Sequence, residues 1–283
     1  MKSIFKKLII SVLTFAFVLS FAACDNGSNA KSTPGLKYKK IDGVHVVYDY
    51  VAEEGVTELD IGAVLQKANV TGNVRIKKNA FSGISSLKKI IVPTSVVEID
   101  AGAFAGMKLL EVLEVPFIGK TANADAYYLN SATATDKSVD SARTIAHFFG
   151  TEEYDGGVPV TIKYDKTNSQ KAYMPATLET IIVNAKAVSE TYKGYSIPMY
   201  AFSGAVNLAK VEIKGGVIAI GEYAFSGCKE LKEFSVPATV KTIYKNAFEN
   251  CTKLVSVKFA ENAEKPEIKE DAFVGTAYED ALA

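Results

Sequence analysis

The sequence predicts a β-rich, α/β-type solenoid of parallel strands with about 23 residues in each coil. Three observations carry that reading: an apolar phrase recurs at fixed spacing, each copy ends in a strand pattern of period 2, and proline follows that strand in several copies. The phrase is clearest from Ile220, where IGEYAFSGCKELKEFSVPATVKT leads to Ile243, 23 residues on, and IYKNAFENCTKLVSVKF begins it again. Anchors Ile220, Ala224, Phe225, Cys228, Leu231, Phe234 and Val236 return as Ile243, Ala247, Phe248, Cys251, Leu254, Val257 and Phe259. The same grid fits from Ile76, from Ile99 and from Ile197. One such unit cannot bury its apolar face alone, so neighbours must stack to close a core.

Each part of the unit follows from residue chemistry. In LKEFSVP, Phe234 and Val236 alternate with Glu233 and Ser235, as in a half-buried strand. LKKIIVP, LEVLEVP, LAKVEIK and LVSVKFA read alike at 87–93, 110–116, 208–214 and 254–260. Repetition in one direction makes these strands parallel neighbours, about 4.8 Å apart. Pro93, Pro116 and Pro237 have no N–H to give a ladder and fall at strand exits. The AF pair opens a tight corner, where small Ala lets the coil close and Phe fills it. Lys89, Val112, Lys210, Glu233 and Ser256 face outward, beside Ile91, Glu114, Glu212, Ser235 and Lys258. That mixed face has neither stacked aromatics for sugar nor a basic stripe for nucleic acid.

The repeated phrase resembles the BspA-like branch of the leucine-rich-repeat proteins, whose pattern is close to IxxxAFxxCxxLxxIxIPxxVxx. Residues 220–242 match nearly every fixed position, with Phe234 standing for an aliphatic. Ile84, Met107 and Ala205 replace the cysteine in three other units. The resemblance implies a right-handed leucine-rich-repeat solenoid over 76–276. It also implies a surface protein that binds a protein ligand on a host or neighbouring cell, in adhesion. A structural or accessory envelope protein, or a glycan-binding accessory module, is the alternative.

The first residues point to export. Lys2, Lys6 and Lys7 precede an apolar run from Leu8 to Ala23 that is short for a bilayer span. FAAC and the polar stretch DNGSNAKSTPG follow, as in a bacterial lipoprotein. The expected organisation is a signal peptide at 1–23, lipidation at Cys24 with a flexible tether to 36, and a capping region at 37–75. An elaborated unit interrupts the solenoid at 117–196, and 277–283 is the C-terminal end. The expected location is the cell envelope, lipid-anchored and surface-exposed, with the membrane met only through the lipid. Without the three signal lysines, 29 basic residues (32 less 3) face 32 acidic ones, so no basic excess invites nucleic acid. A monomer is expected.

The elaborated unit holds most of the functional candidates. MPATLETIIV at 174–183 echoes VPATVKTI at 236–243, which places Ile181 and Val183 inward. Before it, AYYLNSATATDKSVDSARTIAHFFG reads as a protrusion, helical from Ser138 to Phe149, with Phe148 and Phe149 packed. Tyr127, Tyr128 and Tyr154 are the candidate ligand-binding residues, since loops on a rigid scaffold carry recognition. Cys228 and Cys251 are one period apart and stack, as buried thiols or, less suitably oriented, as a disulfide. His45 and His147 lack any catalytic motif, and His147 reads as a packed or hydrogen-bonded imidazole. The acidic run of Glu152, Glu153 and Asp155 lacks the oxygen spacing of a calcium loop. No enzymatic activity, cofactor or metal is expected.

Overall fold

The computed structural model describes residues 35–122, 141–163, 169–190, 193–261 and 263–280. In chain order the strands are β1 (Gly35–Ile41), β2 (Val44–Val51), β3 (Glu58–Asp60), β4 (Val74–Ile76), β5 (Lys89–Ile91), β6 (Val96–Ile99) and β7 (Val112–Val115). They continue as β8 (Gly157–Lys163), β9 (Ser169–Pro175), β10 (Thr180–Asn184), β11 (Tyr195–Ile197) and β12 (Lys210–Gly215). The last are β13 (Val217–Ile220), β14 (Glu233–Val236), β15 (Thr242–Ile243), β16 (Ser256–Phe259) and β17 (Glu267–Ile268). Helix α1 (Ile61–Lys67) lies between β3 and β4, and α2 (Ala277–Asp280) follows β17.

The architecture is β-rich and mostly parallel, with strands divided among five hydrogen-bonded sheets. One sheet runs β12-β10-β7-β5-β3, all parallel, with Leu59, Ile90, Leu113, Ile181 and Val211 in register and buried. β14 and β16 form a separate pair on the same pattern, Phe234 opposite Val257. The other strand of each unit builds β2-β4-β6 and β11-β13-β15-β17, where Ile76 pairs with Ile99 and Ile197, Ile220, Ile243 and Ile268 align. Isoleucine recurs there because a β-branched chain packs well on a pleated surface. Pro93, Pro116 and Pro237 each lie just beyond a strand end, where no ladder donor is needed.

The corner between the two strands is the tightest part of the unit. It carries two residues in the left-handed region, such as Tyr223 at φ 54° and Gly227 at φ 76°, followed one unit on by Asn246 and Asn250. Corners stack by backbone bonds: Phe202 N–H donates to Ala224 O at 2.7 Å, Phe225 to Ala247 at 2.7 Å, and Phe248 to Ala272 at 2.8 Å. Ala fits because its carbonyl must approach the preceding corner closely, and these alanines are buried. The rings of Phe202, Phe225, Phe248 and Phe273 stack with centroids 4.8, 4.8 and 5.1 Å apart. Such offset pairs add about 0.5–1.5 kcal/mol beyond the area they bury.

At the N-terminal side, the β1–β2 hairpin pairs antiparallel and β2 joins β4 in parallel, His45 to Val47 lying beside Val74 to Ile76. Glu58–Asp60 form strand β3, and Asp60 then caps α1 by accepting from Ala63 N at 3.0 Å. Cys228 and Cys251 are free buried thiols, donating to Phe202 O at 3.3 Å and Phe225 O at 3.1 Å. Burial raises both above the usual thiol range, Cys251 to about 12.

Two expectations are corrected. Residues 141–149 are not α-helical: they form 3-10 turns at Ser141–Arg143 and Ile145–Phe148. The reason is stacking, because Phe104 N–H donates to Phe148 O and Ile145 N–H donates to Ala201 O, so the segment serves as a corner between two regular ones. A continuing helix would spend those groups internally. Glu114 is not on a solvated face but is 5% exposed, accepting from Asn184 Nδ2 and from Lys214 Nζ, both at 2.9 Å. The ion pair and amide satisfy a carboxylate that burial would otherwise penalise.

Candidate functional site

A groove lies where the elaborated unit meets the regular units. From Pro116 the chain passes to the 3-10 corner at Ile145–Phe148, then to the antiparallel hairpin β8–β9, and regains the main sheet only at β10. β10 pairs with β7 on one side and β12 on the other, so the sheet runs past the elaboration uninterrupted. The extra chain is thereby displaced to the corner side. Phe148 and Phe149 are fully buried there, as expected, and Phe148 meets the Phe104 ring at 6.0 Å.

Between this displaced chain and the corners of the two preceding units lies a cavity of about 220 Å³. Its floor is apolar, from Ala105, Ala146, Phe149, Ile162 and Ala172, all buried or half-buried. Lys78, Asn79, Glu152 and Gln170 stand at its rim. His147 also lines it, but its Nε2 lies 2.9 Å from the carbonyl oxygen of Ile99, which can only accept. The imidazole is 8% exposed and packs edge-on against Phe148, so it acts as a structural hydrogen-bond donor.

The hairpin wall is held by the acidic turn before it. Tyr173 N–H donates to Gly150 O at 3.2 Å, and Tyr173 Oη donates to Glu153 Oε2 at 3.0 Å. Asp155 pairs with Lys108 at 2.8 Å, and that ammonium holds its carboxyl below the usual range. Glu153 and Asp155 thus point to different partners. Among the described residues, no three His, Cys, Asp or Glu side chains converge as metal ligands.

Of the sequence-read candidates, Tyr154 is half-buried with its hydroxyl enclosed, and burial pushes its phenol well above the usual range. Its ring lies against Gly157, where an added Cβ would meet it at 2.9–3.0 Å. It therefore braces the turn and is not on the groove. Tyr127, Tyr128 and Cys24 lie outside the described residues. Lys78, Glu152, Ile162 and Gln170 escaped the sequence reading as a group, because three separate segments bring them together. Tyr200 and Tyr223 also escaped it; their rings stack at 5.0 Å and 4° in the left-handed corner position. The YAF triplets at 200–202 and 223–225 were the available sign of that pair.

Stacked β-rich units with a recurring corner define a leucine-rich-repeat scaffold. The chain belongs to the BspA type leucine rich repeat region family, whose model matches residues 64–143 and 170–281 in six copies. No curated protein matches it. Among solved structures it is similar to the leucine-rich-repeat protein of T. pallidum, at 18% identity over 88% of this chain and 90% of that one, with a TM-score of 0.33. It is similar to a leucine-rich-repeat protein of Bacteroides ovatus at 18% identity, covering 88% of this chain and 57% of that one, TM-score 0.36. The pneumococcal vaccine antigen PcpA is 18% identical, over 82% of this chain and 50% of that one, TM-score 0.35. The chain thus spans a little over half of the second and half of the third.

Proposed function

We propose that the protein is an exported lipoprotein, anchored through Cys24, whose repeat stack is a protein-binding scaffold used in adhesion. The finer architecture that goes with this reading is a right-handed solenoid of about 23-residue coils, supported by register partners such as Ile220 and Ile243. Its boundaries are those expected above, with the cap at 37–75 and the elaborated unit at 117–196. The observation that carries the binding role is the groove at the elaborated unit, on a scaffold of a repeat family. A rigid frame with a single displaced segment is the arrangement in which recognition elements are carried. The acyl anchor is supported by the basic start, the short apolar run and the FAAC sequence. Among the described residues no helix is long and apolar enough to cross a membrane.

Two measurements test this. Labelled palmitate should enter the wild type and not Cys24→Ser, and equal detergent partitioning of both would sink the anchor. The purified chain should capture a protein from a panel of matrix proteins. Capture of polysaccharide alone would favour the glycan-binding alternative, and binding to neither would leave the accessory envelope role.

A further inference from the structure

We infer that the groove receives one apolar side chain of a protein partner, of leucine, methionine or phenylalanine size, with an acidic neighbour for Lys78 and a basic neighbour for Glu152. This rests on the protein-binding reading and names the chemistry of its contact. Size is the first argument. Pockets for whole small molecules run to about 300–1,000 Å³, whereas this cavity is about 220 Å³. That volume suits a single inserted side chain, the form interface hot spots take. The floor is preorganised, because Ile162 and Ala172 sit on the paired strands β8 and β9 and Ala146 sits in the 3-10 corner.

Charge is the second argument. Lys77, Lys88 and Lys108, near the groove or along the same stack, pair with Asp100, Glu111 and Asp155 at 2.9, 2.8 and 2.8 Å. Lys78 and Glu152, both exposed on the rim, have no ion-pair partner among the described residues. The neighbouring acids Glu153 and Asp155 are committed to Tyr173 and Lys108, leaving Glu152 as the rim's carboxylate. One cation and one anion around an apolar floor complement a peptide carrying the opposite pair about an apolar centre. The side-chain amides of Asn79 and Gln170 can meet the peptide backbone between them.

The test uses the full chain with labelled alanine and isoleucine methyl groups, observed by NMR. The probes are acetyl-Lys-Leu-Asp-amide and acetyl-Asp-Leu-Lys-amide, each with an alanine-centred control. One leucine peptide should shift the methyls of Ala146, Ala172 and Ile162, with the control about tenfold weaker. Ala101→Trp, at the exposed mouth, should abolish the shifts while leaving the remaining spectrum folded. Lys78→Glu should weaken binding about fivefold, and swapping the peptide's charges should recover it in the Lys78→Glu, Glu152→Lys double variant. Shifts confined elsewhere, an equal response to the alanine control, or insensitivity to Ala101→Trp would overturn the inference. If the matrix panel yields a partner that Ala101→Trp still binds, the groove assignment fails and the scaffold reading stands. If the peptides bind and no protein does, the scaffold reading fails and the groove chemistry stands.

Discussion

Phe225 lies between Phe202 and Phe248, with both ring planes within 9° of its own, and no part of it reaches solvent. Phe225→Ala or Phe248→Ala should therefore each lower stability by about 3–5 kcal/mol in urea unfolding. Lys210→Ala and Glu233→Ala, on exposed positions with only surface ion pairs, should cost less than about 0.5 kcal/mol. Similar losses in both groups would refute the inward and outward assignment. Backbone strain gives a second contrast. Gly227→Ala adds a Cβ that meets nothing within 4 Å, so its cost is the left-handed conformation alone, about 1–2 kcal/mol. At Gly216 the same Cβ would sit 2.1 Å from Lys186 O, and the loss should be larger. The thiols give a pH signature. Burial raises Cys251 to about 12, so it stays neutral in the native state while the unfolded thiol ionises near 9. Its contribution is fully present below about pH 9 and is lost as pH climbs towards 12. The stability gap between wild type and a Cys228→Ala, Cys251→Ala variant should accordingly narrow above pH 9, and a constant gap would contradict the burial.

At the scale of elements, the regular units were legible because their period is strict. Ile181 and Val183 could be placed inward from TLETIIV alone, since strand alternation and the preceding Pro175 matched VPATVKTI. The corner at Ile145–Phe148 was not, because its backbone bonds go to Phe104 and Ala201, residues 44 and 56 positions away from their partners (148 − 104 and 201 − 145). Local pattern read TIAHFF as helical and packed; the packing held and the helix did not. The same reasoning explains Glu114, whose row predicts solvent while Asn184 and Lys214 enclose it from two later strands. The groove was invisible for a like reason: nothing in the spacing of Lys78, Glu152 and Gln170 ties them together. If Ile145–Phe148 is a true corner, Phe148→Ala should cost about 3–5 kcal/mol. His147→Ala should cost about 1–3 kcal/mol by leaving the Ile99 carbonyl without its side-chain donor. A loss under 0.5 kcal/mol at Phe148 would make the segment a mere decoration.

Over the whole molecule, stability is passed from unit to unit. Side chains 23 residues apart join adjacent units: Lys77 with Asp100, Lys88 with Glu111, Lys253 with Glu230, and Ser226 with Glu249. Each exposed ion pair is worth about 0–1 kcal/mol, so the stacked rings and aliphatics must dominate. A stack held mainly by contacts between neighbours should lose order locally when one layer is damaged. In Phe248→Ala, hydrogen exchange should quicken across 220–276 while β5 and β7 keep their protection. Uniform acceleration along the chain would show one cooperative body.

The uninterrupted sheet past the elaborated unit has a kinetic consequence. Leu113 waits for Ile181, 68 residues later (181 − 113), whereas Ile90 meets Leu113 after 23. Closing the longer loop costs about 1 kcal/mol more in chain entropy by logarithmic scaling, or roughly a fivefold slower search. The half before the elaboration can thus pair strand by strand as the chain emerges, but then holds a bare parallel edge at β7 until β10 arrives. That interval is when a nascent chain of this design is most exposed to pairing with the wrong strand.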